Sequence, residues 1–481
     1  MKNLRKISAI VAVTLGIAAW VGAQVDVALR PASPISNDPL VQLDQVHAPK
    51  GQLVYMVPVS VPGPPTRMPS DLVVIPTGTS AAKTVHRLVP PFAEAAFGPQ
   101  ILPDVNSTPT ASTTSVLVKV GWPYEELSTY KLYRWNWQTS DLKAGPSQSL
   151  NFRSVFPSPS GRYTAFVTGG NAIGEDWGQP RTQPLSLHIY DWENRKTIDI
   201  VRKPTSTDVS WTPQETLLFS SLNENSQPQT DAKGKVFSLP VNATNAVFEF
   251  DPQKNTNSLL IPNAYGPVVS PDGKQIAVLG WNLPSAHDKN LKTTQQEKED
   301  ERAFLAFSFG AVPAPQLWVF SRENSEKTLL LDESPIFYCW QPDDKAVIVC
   351  EQTYIGENGG NFVNRGSIVQ IDALTQKKIE IAHLDAYDAR PTSENWAKKR
   401  FVFEGWDNAT NQMVLSKLDL TGVNGDGAFL LQTTFSVVDI KKRERVDFAI
   451  FKHTVEDLLG VDWKSYGVTD ANDPRESQVG Q

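Results

Sequence analysis

The stretch that decides the fold is VVSPDGKQIAVLGW, residues 268–281. An apolar run enters the turn sequence Ser-Pro-Asp-Gly, and a strand with alternating apolar residues leaves it. Pro271 presets φ for the first corner of the turn, and Gly273 accepts the positive φ at which the chain reverses. After the turn, Ile276 and Val278 alternate with Gln275 and Ala277, as in a strand. The stretch therefore predicts a β-hairpin.

Related stretches recur along the chain, with starts about 50 to 70 residues apart, and such a period indicates a repeat architecture. They are SVFPSPSGRYTAFVTGG (154–170), DVSWTPQETLLFSSL (208–222), IFYCWQPDDKAVIVCEQ (336–352) and RPTSENWAKKRFVFEGW (390–406). A second hairpin follows several of them, for example at residues 185–201 and 316–332. Two hairpins make one four-stranded blade. The sequence therefore predicts an all-β fold, a six-bladed β-propeller of antiparallel blades, with seven blades as the alternative.

The predicted organisation is a signal peptide, a lead-in, one propeller domain and a tail. Residues 24–50 are rich in Pro, Ser, Asp and Val and predict an extended lead-in. The propeller is expected at 51–470, and a disordered tail at 471–481. If the last hairpin joins the N-terminal strands, it forms a shared closing blade and brings the count to seven. The blade-like segments are about 100–150, 153–205, 207–262, 266–332, 334–386 and 388–436.

The N-terminus is typical of a secretory signal. Lys2, Arg5 and Lys6 precede an apolar segment at 7–20, and small or short side chains at 21–23 predict cleavage before Gln24. The alternative is an uncleaved anchor, since the apolar segment is just long enough to be considered for a span. No later segment is apolar enough to cross a membrane. We therefore expect a periplasmic or secreted protein.

Composition excludes one class of partner. The chain has 45 Lys and Arg residues against 52 Asp and Glu residues, which gives a formal net charge of −7. Nucleic acid needs a cationic surface, so the acidic balance argues against binding to it.

The repeat resembles that of TolB-type propellers. The similarity rests on the residues from Val269 to Ala277, VSPDGKQIA, and on the Trp before the turn at Trp211 and Trp340. Weaker copies replace Asp-Gly in the other turns. The resemblance implies the fold, a periplasmic or cell-surface setting and often a protein-binding role. It implies no catalytic residues, because the repeat is structural and function depends on the site.

The two cysteines, Cys339 and Cys350, fall in one predicted hairpin. With the turn centred on residues 342–344, Cys339 lies opposite Val347, and Cys350 lies opposite Ile336. The two thiols then point to opposite faces of the sheet, and they are too far apart for a disulfide. The sequence therefore predicts buried free thiols.

Patterns for catalysis and metal binding are absent. The chain has no Gly-x-Ser-x-Gly elbow, no HExxH, no Cys-x-x-Cys and no phosphate-binding Gly loop. The segment at 424–427 resembles part of a calcium loop, but the flanking acids are missing, so a turn is expected. We therefore predict no cofactor and no metal site. The histidines are scattered without ligand spacing: His47, His86, His188, His287, His383 and His453.

Loop lengths predict one decorated face. Long connections between second and third strands are expected at 168–184, 222–235, 282–315 and 354–366, whereas the other turns are tight. Long loops on a rigid scaffold are where binding usually resides. The charged insertion at 287–302 is either a solvated segment or a lid over the channel.

Aromatic and polar residues on these loops are the candidate ligand-binding groups. Aromatic rings among carboxylates and amides stack on sugars or anchor peptides. The alternative for each tryptophan is a wedge between blades. The candidates are Trp122, Glu175, Asp176, Trp177, Trp281, Glu357, Asn358, Arg365, Trp406 and Asp407.

Two functions remain open from the sequence. The first is a non-catalytic propeller that binds a protein, a peptide or an envelope glycan through the loop-rich face. The second is a carbohydrate-active enzyme that uses two carboxylates at the mouth of the central channel. The carboxylates available for that chemistry are Glu175, Asp176, Glu357 and Asp407.

Overall fold

The structure is a computed structural model, and every regular element in it is a β-strand. Among the described residues, no helix is long and apolar enough to cross a membrane. The signal segment and the predicted tail lie outside those residues. The structure describes residues 28–31, 38–58, 70–78, 83–89, 94–96, 100–103, 115–121, 130–136, 141–148, 152–171, 182–200, 202–223, 229–230, 236–237, 245–280, 315–332, 335–358, 361–388, 400–407, 410–423 and 429–454.

Blades 1 to 3 are consecutive antiparallel sheets of four strands. Blade 1 contains β6 (Glu94–Ala96), β8 (Ser115–Gly121), β9 (Tyr130–Asn136) and β10 (Asp141–Gln148). Blade 2 contains β11 (Phe152–Pro157), β12 (Tyr163–Asn171), β13 (Thr182–Asp191) and β14 (Lys196–Ile200). Blade 3 contains β15 (Pro204–Trp211), β16 (Leu217–Leu222), β19 (Asn245–Asp251) and β20 (Thr256–Pro262), with a small ribbon of β17 (Gln229–Thr230) and β18 (Val236–Phe237) between its second and third strands.

Blades 4 to 6 repeat this pattern, and a strand from the N-terminal part is added to the last one. Blade 4 contains β21 (Ala264–Val269), β22 (Gln275–Gly280), β23 (Gln316–Ser321) and β24 (Lys327–Leu331). Blade 5 contains β25 (Phe337–Trp340), β26 (Ala346–Asn358), β27 (Asn361–Asp372) and β28 (Lys378–Asp388). Blade 6 contains β29 (Arg400–Asp407), β30 (Gln412–Val423), β31 (Phe429–Asp439) and β32 (Glu444–Thr454), and β2 (Leu40–Leu43) pairs with β32.

A further five-stranded sheet, the N-terminal sheet, lies between blade 6 and blade 1. An apolar cluster that includes Tyr55 and Phe451 joins it to blade 6. The ring of His86 meets that of Trp135 in blade 1 edge to face, with centroids 5.7 Å apart. The sheet contains β1 (Ala28–Pro31), β3 (Gly51–Pro58), β4 (Ser70–Thr77), β5 (Thr84–Val89) and β7 (Gln100–Pro103).

Apolar clusters between neighbouring sheets hold the propeller together. Each joins one blade to the next, as where Tyr163 of blade 2 stacks on Trp211 of blade 3, with ring centroids 6.1 Å apart. Similar clusters join blades 3 and 4, blades 4 and 5, and blades 5 and 6. Burial of this apolar surface is the main stabilising contribution.

The six predicted blades are confirmed, but the closing arrangement differs from the expected one. The last hairpin, β31 and β32, stays in blade 6 with β29 and β30, whereas the N-terminal strands β3 and β4 form a separate sheet. Only β2 crosses to blade 6, where Leu40 pairs with Phe451 and Leu43 with Ala449. The segment 24–50, expected to be an extended lead-in, thus contributes β1 to one sheet and β2 to another. Residues 100–103, expected in blade 1, belong to the N-terminal sheet.

The turns between first and second strands carry the repeat chemistry. Each places one residue at positive φ: Gly161 (72°), Glu215 (64°), Gly273 (76°) and Asp344 (63°). The prediction for Gly273 is confirmed. Where a carboxylate replaces glycine, it binds the turn of the preceding blade. A Glu215 oxygen accepts the Ser160 N–H at 2.7 Å, and an Asp344 oxygen accepts the Asp272 N–H at 2.8 Å.

The turns between third and fourth strands are built on aspartates. The Asp372 carboxylate accepts the Thr375 N–H at 2.7 Å and the Thr375 hydroxyl at 2.8 Å. Asp251 and Asp439 accept backbone N–H groups two and three residues on in the same way. Such side-chain bonds to nearby backbone favour tight turns.

These aspartates predict a loss of stability in acid. The N–H and hydroxyl of Thr375 hold the pKa of Asp372 below its ordinary value of 3.8. A carboxyl group with a depressed folded-state pKa contributes stability above its unfolded pKa, and that contribution is lost as pH falls through the folded pKa. We expect Asp372→Asn to lower Tm at pH 6 and the difference from the parent to shrink as pH falls towards about 3. Thermal melts across this pH range test it; a difference independent of pH contradicts it.

The prediction of buried free thiols is confirmed, but the register behind it is wrong. Cys339 pairs with Ile348, and Cys350 pairs with Phe337. Both thiols therefore lie on the same face of the sheet, in the apolar cluster between blades 5 and 6. They are free, and burial raises the pKa of each. Two residues of strand separate the paired positions, which keeps the sulfur atoms apart.

Candidate functional site

Strand direction divides the propeller into two faces. Turns between first and second strands, and between third and fourth strands, lie on one face, here the turn face. Connections between second and third strands lie on the other, the loop-rich face. In blade 4, for example, β21 and β22 are joined by a short turn, whereas the connection from β22 to β23 runs from residue 281 to residue 315. The predicted asymmetry of loop lengths is therefore present in blade 4.

Blades 5 and 6 carry long hairpins on the loop-rich face. β26 and β27 pair without a long loop as far as Asn358 opposite Asn361. Residues 354–366 were expected to be a long loop, so this expectation is wrong: the segment is a paired ribbon. β30 and β31 of blade 6 likewise pair from Asp439 to Phe429. Among the described residues, two neighbouring blades thus have the longest paired strands on this face.

Five of the candidate residues lie outside the described residues, in connections that leave second strands. Trp122 follows β8, whose last residue is Gly121, and Trp281 follows β22, whose last residue is Gly280. Glu175, Asp176 and Trp177 lie between β12 and β13. All of these connections belong to the loop-rich face.

Three further candidates lie on the blade 5 hairpin. Glu357 pairs with Phe362 and Asn358 with Asn361, next to the end of the hairpin. Arg365 pairs with Thr353 lower on the same hairpin. Along β27 this position is roughly 10 Å from that of Phe362, at about 3.3 Å per residue. The three backbone positions therefore follow one ribbon on the loop-rich face.

Trp406 and Asp407 lie on the turn face, which corrects the prediction. Gly405-Trp406 was expected to end a second strand, but β29 is the first and innermost strand of blade 6. Its end leads into the short turn to β30, where the buried Asp407 carboxylate accepts the Thr410 hydroxyl at 2.7 Å. The Asp407 carboxylate therefore stabilises this turn, and neither Trp406 nor Asp407 lies on the loop-rich face.

Trp406 occupies the position of a wedge between blades. Trp211 and Trp340 also end first strands, and the indole N–H of each donates to a carbonyl of the preceding blade, Phe156 and Val268 respectively, at 2.9 Å. The half-buried Trp406 also packs against an apolar cluster between neighbouring blades, here blades 5 and 6, although its indole N–H makes no corresponding bond among the described residues. Its geometry supports the wedge alternative at this position.

Sequence reasoning missed a polar group inside blade 6. Lys417 Nζ lies 3.0 Å from Asp419 Oδ2, and the two side chains are only 14% and 18% exposed. Both lie on the same face of β30 as Met413 and Leu415, which face blade 5 in the apolar cluster. The interface between blades 5 and 6 thus changes from apolar to polar towards the loop-rich face. The sequence signal was a charged pair, Lys417 and Asp419, at the positions where the apolar residues of this strand face would continue.

The polar group includes an unsatisfied oxygen. Asp419 Oδ1 is buried without a hydrogen-bond partner. Thr434, opposite Lys417 on β31, is also buried. On the other face of β30, the Ser416 hydroxyl donates to Glu404 of the inner strand. These groups can donate and accept hydrogen bonds, but no cluster of three metal-ligating side chains occurs among the residues that the structure describes.

Comparison with known proteins finds similarity in fold. No family model matches the sequence, and no curated protein matches it. TolB from Acinetobacter baumannii is 11% identical with a TM-score of 0.35, over 89% of this chain and 97% of that chain. The β-propeller domain of the Trilobed protease from Pyrococcus furiosus is 12% identical with a TM-score of 0.40, over 84% and 97%. An oligogalacturonate lyase in complex with manganese is 11% identical with a TM-score of 0.43, over 83% and 85%.

Proposed function

We propose that this protein is a secreted or periplasmic, non-catalytic β-propeller that binds a protein, a peptide or an envelope glycan through its loop-rich face. The observation that carries the proposal is the contrast between the two faces. On the turn face, short turns satisfy their own backbone and bind the turns of neighbouring blades, as Asp344 does with Asp272. In blades 2 to 4 the connections between second and third strands are longer than these turns, and they leave from the other face, where rigid strands support variable loops. The predicted signal peptide supports export.

Blades 5 and 6 supply the best-defined part of this surface. Their hairpins extend side by side, and the ion pair of Lys417 and Asp419 lies between the blades below them. A half-buried pair with an unpartnered oxygen offers hydrogen bonds to amide or hydroxyl groups. Peptides and glycans are rich in such groups.

The positions of the acidic candidates favour binding over carboxylate chemistry. Glycoside cleavage needs two carboxyl groups about 5 to 10 Å apart around one bond. Asp407 serves a turn on the opposite face, so it is removed from the set of candidate acids. Glu357 precedes Asn358 near the end of the blade 5 hairpin, a position that suits a contact surface.

The proposal is tested by capture from an envelope extract with the mature chain, run beside a glycan-binding screen. Trp281→Ala, on the loop-rich face, is expected to weaken binding of the captured ligand about tenfold or more, the range for an interface aromatic. Leu374→Ala is the matched control, because Leu374 is 89% exposed on the turn face. Its affinity should equal that of the parent.

The melting temperature of Trp281→Ala shows whether Trp281 contacts ligand or packs as a wedge between two blades. If Trp281 contacts ligand, the variant should melt close to the parent. A loss of about 3 kcal/mol in unfolding free energy would make it a wedge instead. Parent-like affinity in Trp281→Ala, or equal weakening in Leu374→Ala, contradicts recognition through this part of the loop-rich face.

A further inference from the structure

A half-buried cation lies against an aromatic ring between blades 1 and 2, away from the loop-rich face. Arg134 projects from β9, and its guanidinium carbon lies 4.1 Å from the centre of the Trp192 ring. Trp192 follows β13 in a turn on the turn face. Arg134 is half-buried, and its Nη2 is buried without a hydrogen-bond partner. We call this the Arg134–Trp192 crevice.

The indole in this crevice is held in one position. Its N–H donates to the Thr164 hydroxyl at 2.8 Å, and Tyr190 meets it edge to face, with centroids 4.9 Å apart. Gly145 makes room for it on blade 1. A Cβ added at Gly145 would lie 2.7 Å from the Trp192 ring and 2.9 Å from the Leu132 carbonyl oxygen. The guanidinium therefore lies over a fixed aromatic surface.

The positive charge of Arg134 has no counter-charge. Lys143 is its direct partner across β9 and β10, so two cations stand side by side on one sheet face. Like charges directly opposite each other in a sheet are unfavourable. In the part of the chain that the structure describes, no carboxylate forms an ion pair with either of them.

Among the described residues, Arg162 and Arg322 each have a carboxylate partner, which Arg134 does not. Arg162 donates to Asp191 at 3.1 Å, and Arg322 donates to Glu249 at 2.8 Å. Asp191 and Glu193, the carboxylates on either side of Trp192 in sequence, both pair with Arg162, and Asp191 also accepts the Asn194 amide. Burial raises the pKa of Tyr190, and the nearby Arg195 opposes that shift, so a third cation lies close to the crevice.

Burial without a counter-ion is costly for Arg134. It lowers the pKa of Arg134 to about 10, with desolvation as the cause, so the group still carries its charge at neutral pH. A half-buried cation beside a second cation is stabilised by any anion that reaches it. A guanidinium also presents parallel N–H groups that match the oxygens of carboxylate and phosphate.

We propose that the Arg134–Trp192 crevice is a binding site for an oxyanion, a carboxylate or phosphate group of a ligand, held by Arg134 with Lys143. The stacked indole fixes the guanidinium before the ligand arrives, so little side-chain freedom is lost on binding. The crevice is separate from the loop-rich face, and its occupation does not depend on the function proposed above.

The test is a titration of the mature chain at constant low ionic strength, with thermal stability and tryptophan fluorescence as readouts. Inorganic phosphate, acetate and a polyglutamate peptide are compared with chloride. We expect a saturable rise in Tm with phosphate or with the carboxylate probes but not with chloride. The stronger response identifies the class of oxyanion. Arg134→Gln should weaken that response at least about tenfold, and Lys143→Gln about threefold.

Arg322→Gln is the matched control, because Arg322 already has a carboxylate partner, Glu249, and lies between blades 3 and 4, away from this site; its response should equal that of the parent. If Arg134 serves only as a contact between blades, Arg134→Gln will melt earlier but respond to the anions as the parent does, and the proposal fails. It also fails if no probe stabilises the parent more than chloride does. If Arg134→Gln does not fold, the anion responses of Lys143→Gln, which changes an exposed residue, and of the conservative Arg134→Lys are compared with that of the parent instead. Responses equal to the parent's in both variants would contradict the proposal.

Discussion

Gly266→Ala is expected to lower the free energy of unfolding by about 3 kcal/mol. Gly266 lies in β21 at a φ of 62°, where residues with a Cβ are strained. An added Cβ would also lie 2.7 Å from the hydroxyl oxygen of Tyr338 in blade 5. The backbone there cannot move freely, because its N–H donates to Ser220 of blade 3 at 2.9 Å and its carbonyl accepts the Tyr338 hydroxyl. Urea unfolding of the purified chain measures the loss.

A double-mutant cycle with Tyr338→Phe separates the two causes of this loss. Phenylalanine removes the oxygen that an alanine Cβ would strike, but it leaves the positive φ unchanged. The double variant should therefore lose less stability than the two single variants together. Strict additivity would mean that the collision with Tyr338 contributes nothing, and a single loss below about 1 kcal/mol would contradict the strained backbone as well.

Turn chemistry explains why the fold was predictable from sequence. Ser270-Pro271-Asp272-Gly273 fixes a hairpin locally, and its copies recur at the blade period. Even the degenerate copies keep the geometry, since Glu215 and Asp344 take the positive φ of the missing glycine. The bond that each makes to the preceding blade was not predictable, because it joins residues of different repeats.

Blade 6 shows where local signals fail. Residues 393–396 imitate the end of a first strand, and Gly405-Trp406 imitates the end of a second one. The real turn, between Asp407 and Gln412, has neither Pro nor Gly; its weaker signals are Asn408 and Asn411, and Asn411 takes a positive φ of 55°. The strand order was therefore displaced by one, and two candidate residues were assigned to the wrong face.

The cysteine hairpin shows how small an error reverses a face. Trp340 pairs with Val347, so the turn is centred between Asp343 and Asp344, half a residue later than expected. Asp344 takes a positive φ, which allows a turn with an even number of residues between Trp340 and Val347. Because side chains alternate with a period of two, that shift moved one cysteine to the other face of the predicted sheet. Composition and charge carry no information on register.

Trp406→Ala is expected to lower the free energy of unfolding by about 3 kcal/mol and to leave ligand binding at the loop-rich face unchanged. The indole packs with Phe403, whose ring centroid is 6.1 Å away, in the apolar cluster that joins blades 5 and 6. Truncation would leave a cavity between two blades, since the backbone around it is held by strand pairing. Trp406→Phe, which fills part of that space, should lose less. Affinity is measured well below the melting temperature of each variant. A Trp406→Ala protein that melts like the parent but fails to bind ligand would place this residue on the recognition surface. That result would contradict the position of the end of β29 on the turn face.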